Sequence, residues 1–64
     1  MKRNMIRGLR LVHRLTLDEL SRRARIDPGN LSKLERGIVP LSARSRRVLS
    51  RILKVPAEIL FPEV

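Results

Sequence analysis

Apolar residues recur along this chain at intervals of three and four, with no sustained alternation, and turn-forming residues divide the pattern into five short segments. That spacing predicts an all-α fold. The first segment covers about residues 2–14, with Met5, Ile6, Leu9 and Val12 as its apolar stripe and Leu15 closing onto the next element. Gly8 inside it weakens the helix by up to ~1 kcal/mol relative to alanine.

The second segment has the clearest start. Thr16 and Glu19 have capping-box spacing: the hydroxyl accepts from a free N–H, and the carboxylate reaches back to the Thr16 backbone. Leu15 and Leu20 are spaced as a hydrophobic staple. Leu17, Leu20 and Ala24 form the stripe, and Arg22, Arg23 and Arg25 point elsewhere. In the third segment Asp27 is a good N-cap, and Pro28 falls where a missing N–H costs nothing. Ile26 and Leu31 make a second staple, Leu31 and Leu34 face the core, and Gly37 suits a left-handed C-terminal cap. A helix over residues 28–36 therefore follows the previous one after a turn of residues 25–27. Two short helices joined so tightly predict a helix-turn-helix unit over about residues 17–36.

Residues 38–41 read as a short connector. Ser42 caps a fourth helix over residues 43–53, with Val48, Leu49, Ile52 and Leu53 inward and Arg44, Arg46, Arg47, Arg51 and Lys54 as a basic face. Pro56 opens a last turn over residues 57–60, and Pro62 stops it. No repeat or low-complexity tract interrupts residues 1–64, which read as one domain.

Size and composition narrow the function. A 64-residue domain buries only about 60% of the surface its unfolded chain exposes, so its stability is marginal. There is no cysteine for a disulfide or thiolate metal site, and the single histidine, His13, builds no zinc site alone. Neither a metal nor another cofactor is expected, which leaves oligomerisation as the remaining staple. No run of 18 apolar residues is present, so no membrane span is expected, and the basic start lacks the apolar stretch of a leader peptide. The expected location is the cytoplasm.

Fifteen Lys and Arg against six Asp and Glu give a formal charge of +9, which calls for a polyanionic partner. Trp and Tyr are absent and Phe61 is the one aromatic residue, so base-stacking readers of single strands and RNA fit poorly and duplex DNA fits better. Ser42, Ser45 and Ser50 have no partners spaced for a triad, and Asp18 is better explained by capping than by general acid–base work. The chain is not expected to be an enzyme.

The strings Thr16-Leu17-Asp18-Glu19-Leu20, Ile26-Asp27 and Leu31-Ser32-Lys33-Leu34-Glu35-Arg36-Gly37 resemble the Xre family, the Cro and lambda-repressor type of helix-turn-helix protein. Leu53-Lys54-Val55-Pro56 and Glu58-Ile59-Leu60-Phe61 are similar to its closing segment, so the resemblance runs from about Met5 to Phe61. It implies a compact five-helix bundle with the third helix in the major groove, usually as a dimer on a palindromic site. It also implies a structural pair between Arg10 and Glu35. The chain departs from the family pattern at several places. Leu17 stands where many members have glutamine, Arg25 where the turn commonly has glycine, and Ser21 and Ser50 where alanine is common. Pro28 and Gly29 open the third helix without a side-chain donor.

The expected function is sequence-specific binding of double-stranded DNA as a homodimeric transcriptional regulator, a repressor associated with the nucleoid through that binding. Direct readout would fall to Asn30, Ser32 and Lys33, with Gly29 allowing close backbone approach. Asn30 has a plainer reading as a residue satisfying the helix start. Thr16, Leu17, Asp27, Pro28 and Gly29 belong to the helix starts that would meet phosphate, mainly through backbone, with Arg36 and Arg44 as flanking clamps. Arg46, Arg47 and Arg51 read equally well as a solvated face. Alternatives are an antitoxin or restriction controller of the same fold, or a protein–protein adaptor using Ile59-Leu60-Phe61 that has lost specific reading.

Overall fold

The computed structural model describes residues 4–60. Expectations placed on Lys2, on the Ile59 side chain, on Phe61 and on Pro62 lie outside the described residues and side chains. The fold is all-helical, with no strand among the described residues. It has four helices, α1 (Ile6–Val12), α2 (Leu17–Ala24), α3 (Pro28–Glu35) and α4 (Ala43–Leu53), and a closing helical turn, α5 (Ala57–Leu60). The fifth segment of the hydrophobic pattern is thus a single turn of four residues.

Local chemistry sets the helix starts. Thr16 Oγ1 accepts from the Glu19 N–H at 3.0 Å, and Glu19 Oε1 accepts from the Thr16 N–H at 2.9 Å, completing the capping box of α2. Asp27 Oδ2 accepts from the Asn30 N–H at 3.2 Å, with Pro28 at the first position of α3. Ser42 Oγ accepts from the Ser45 N–H at 3.1 Å at the start of α4. At the start of α1, Asn4 Oδ1 accepts from the Ile6 N–H at 3.0 Å while its Nδ2 donates to the Leu34 carbonyl at 2.8 Å. Met5 N–H donates to the Leu60 carbonyl at 3.0 Å, so the entry to α1 is tied to both α3 and α5.

The four longer helices end alike. Leu15, Ile26, Ile38 and Val55 donate their N–H groups to the carbonyls of Arg10, Ser21, Lys33 and Ser50, at 3.0, 3.0, 3.0 and 3.1 Å. The residues just before them, Arg14, Arg25, Gly37 and Lys54, have φ of 56°, 56°, 73° and 59° and bond back three residues. This is the Schellman pattern, with an apolar residue following each left-handed one. Glycine occupies one of the four left-handed positions; a basic side chain occupies the other three and lies near the carbonyl-rich, partly negative helix end.

The core joins Ile6, Leu15, Leu20, Ala24, Ile26, Leu31, Leu34, Leu49, Leu53 and Leu60. Helix α4 packs against α1, α2 and α5, and α2 packs against α3. Both staples are buried. The connector contributes too, since Val39 and Leu41 lie against the core. One expectation is corrected: Met5 and Val12 do not face inward but are 44% and 75% exposed. Helix α1 is turned so that Arg10 reaches Glu35, which keeps Ile6 buried and Leu9 against the core but swings Met5 and Val12 outward.

Candidate nucleic-acid interface

At about 100° per residue, Leu31 and Leu34 define the inward side of α3, and Gly29, Ser32, Lys33 and Arg36 form the opposite stripe, Arg36 standing just past its end. Gly29, Lys33 and Arg36 are exposed and Ser32 is half-buried. The stripe has no side chain at its first position, so its donors begin one turn into the helix. Gly29 also has a local reason to lack a Cβ, which would stand 3.1 Å from Asp27 Oδ2, the capping oxygen. Asn30 lies at the flank of the stripe. Its backbone, not its side chain, satisfies the cap, leaving the exposed amide free of partners among the described residues.

Lys33 also has no polar partner among the described residues, whereas the Arg36 guanidinium folds back along the stripe toward the Ser32 carbonyl at 3.4 Å. Glu35, the one acid within α3, is withdrawn from the surface. Arg10 Nε donates to its Oε2 at 2.6 Å and Nη2 to its Oε1 at 3.3 Å, while Nη1 donates to the Leu15 carbonyl at 2.9 Å. The two side chains are only 11% and 7% exposed. The outward side of α3 therefore carries cations and polar groups with no unneutralised carboxylate beyond the Asp27 cap.

The other acids near this unit are also engaged. Asp18 accepts from Arg22 at 3.0 Å, an exposed pair one turn apart on α2. The backbone N–H of Thr16, and next its hydroxyl, hold the Glu19 carboxyl below the usual glutamate value. The backbone donors of the two helix starts divide unequally. Pro28 has no N–H and Asp27 takes that of Asn30, so α3 offers chiefly the Gly29 N–H. Helix α2 offers those of Leu17 and Asp18, because the capping box uses the next one. The Leu17 side chain packs against the core, so a contact there would be through backbone. Thr16 and Asp27 are both committed to capping.

Arg44, from the start of α4, reaches the Ala24 carbonyl at 3.5 Å and so stands beside the turn that joins α2 to α3. Exposed Arg25 occupies that turn with its left-handed backbone. Arg47 and Arg51 are exposed farther along α4. His13 is half-buried at the end of α1, its Nε2 2.9 Å from the Leu53 carbonyl, where it joins the ends of α1 and α4. Asn4, with its two bonds bridging α1 and α3, has no signal in the sequence; only the Leu34 carbonyl, thirty residues away, explains it.

No family model matches the chain, and no characterised protein matches it in sequence.

Proposed function

We propose that this chain is an Xre-like helix-turn-helix domain that binds double-stranded DNA, with α2 and α3 as the helix-turn-helix unit and α5 as the last element of a lambda-repressor-like bundle. It acts by binding and not by catalysis, as a homodimeric transcriptional regulator, a repressor, on a palindromic operator in the cytoplasm. The observation that carries the reading is the outward stripe of α3, where Lys33 and Arg36 stand free of acid because Arg10 has taken Glu35 inward. A stripe of that kind suits a polyanionic groove, and the +9 charge supplies attraction to its backbone. Lys33 donates to guanine and Asn30 to adenine or phosphate, while Gly29 and Leu17 meet phosphate through backbone N–H groups. Arg44 and Arg36 clamp the flanking backbone. Antitoxin and restriction-controller roles share this surface.

In vitro selection from random duplex DNA, followed by titration of the winner and a scrambled control at several salt concentrations, tests the reading. A palindromic consensus bound at least ~10³-fold tighter than the control is the expected result. Weak binding without a consensus, falling steeply with salt, would leave phosphate attraction alone and favour the adaptor role.

A further inference from the structure

The outward arc of α1 is apolar where a small, highly charged chain would be expected to show charge. Around the helix at about 100° per residue, Arg7, Leu11, Gly8, Val12 and Met5 succeed one another across nearly half its circumference. Leu11 is 56% exposed, alongside the exposed Val12 and Met5. A Cβ built at Gly8 meets nothing within 4 Å, so the centre of this arc is an open notch flanked by apolar side chains. The rim is cationic. Arg7 borders the arc, and exposed Arg14 follows the helix in left-handed conformation. Residues 5–14 contain no acid.

We propose that this face docks an acidic amphipathic helix of another protein. The notch at Gly8 admits a large side chain of the incoming helix, Leu11, Val12 and Met5 cover its apolar side, and Arg7 and Arg14 meet its carboxylates. The local charge selects this occupant. A second copy on this face would bring the same Arg7 and Arg14 against each other with no acid among residues 5–14 to offset them, whereas an acidic helix complements them. An apolar patch with a polar rim is the usual form of a protein-binding surface on a small domain. The proposal is independent of the DNA reading, because none of these residues belongs to the α3 stripe.

A fluorescein-labelled helical peptide, leucine along one side and glutamate elsewhere, serves as the probe, titrated by anisotropy into the full chain. Two controls replace its leucines with alanine or its glutamates with lysine. The expected result is binding of the Leu/Glu peptide only, weakened at least about tenfold by the double substitution Leu11→Ser with Val12→Ser and by Gly8→Leu. Thermal unfolding separates docking from folding: Gly8→Leu should weaken binding while the Tm stays the same or rises, since the site has room and leucine is a better helix former. Failure of the Leu/Glu peptide to bind overturns the proposal. So does equal binding of the alanine control or of the variants, which would mean charge attraction alone. A dimer in sedimentation that the Leu11→Ser, Val12→Ser variant converts to monomer would show a second copy on this face and overturn it too.

Discussion

Among single residues, Glu35 serves the architecture of α3, while Lys33 is the base-reading residue of the proposed function. The Arg10–Glu35 pair is largely withdrawn from water, and Arg10 also satisfies the Leu15 carbonyl. Removing one partner leaves the other charge buried without compensation. Glu35→Ala should therefore destabilise by about 3 kcal/mol, a large part of the stability of so small a domain, as read by urea unfolding. Glu35→Leu combined with Arg10→Met should recover part of that loss, because the buried charges are removed together while the Leu15 carbonyl loses its donor. Lys33 has no partner to lose. Lys33→Ala should leave unfolding unchanged and weaken cognate DNA by ~1–3 kcal/mol while relaxing preference at one base pair. Loss of the same size on every sequence would remove base reading from Lys33.

Helices begin and end by local rules here, and two of those rules give measurable consequences. The folded Glu19 carboxyl lies below its usual value because it accepts from the Thr16 backbone and hydroxyl. A depressed carboxylate contributes stability that is present above its unfolded pKa and is lost as pH falls through the folded value. Amide-exchange protection in the first turn of α2 should thus fall on acidification through the range below about pH 4.5, where the free side chain titrates. Glu19→Gln should flatten that dependence while keeping a neutral form of the capping box. At the other ends, Arg25 and Lys54 hold a left-handed backbone that costs a non-glycine residue about 1 kcal/mol. Replacing either with glycine should raise the Tm, and Gly37→Ala should lower it. Arg25→Gly also removes an exposed cation beside the α2–α3 turn, so any loss of DNA affinity must be compared at matched stability.

The whole molecule carries +9 on a chain with no disulfide and six acids, and four of those acids, Asp18, Glu19, Asp27 and Glu35, are bonded to nearby donors. Folding thus spends acidic side chains on caps and pairs and leaves a net cationic surface. Affinity for DNA should fall linearly with salt on logarithmic axes, and Arg44→Ala should reduce that slope by about one for all sequences alike. Since any ligand of the folded state adds to its stability, cognate duplex should raise the Tm in proportion to the logarithm of its excess over Kd. A duplex that binds without raising the Tm would point to contact with the unfolded chain.

The starts of α2, α3 and α4, the staples and the α2–α3 turn were legible in the sequence because each depends on residues within five positions of one another, whereas the first helix, expected from about residue 2, begins at Ile6. Thr16 with Glu19, Asp27 with Pro28, and Ser42 before Ala43 define their helices whatever the rest of the chain does. The inward stripes of α2, α3 and α4 were legible for a similar reason: one side of each helix is apolar and the other is charged. Helix α1 has apolar residues over most of its circumference, so the stripe of Met5, Ile6, Leu9 and Val12 that periodicity chose was only one of several possible inward sides. The tertiary structure chose among them, through Arg10 meeting Glu35 and Asn4 meeting the Leu34 carbonyl. The pair of residues 10 and 35 came from family resemblance, and no spacing within the chain would have joined them. The same rotation exposed Val12 and opened the notch at Gly8, because a helix that commits one side to a buried ion pair must turn the remaining side outward.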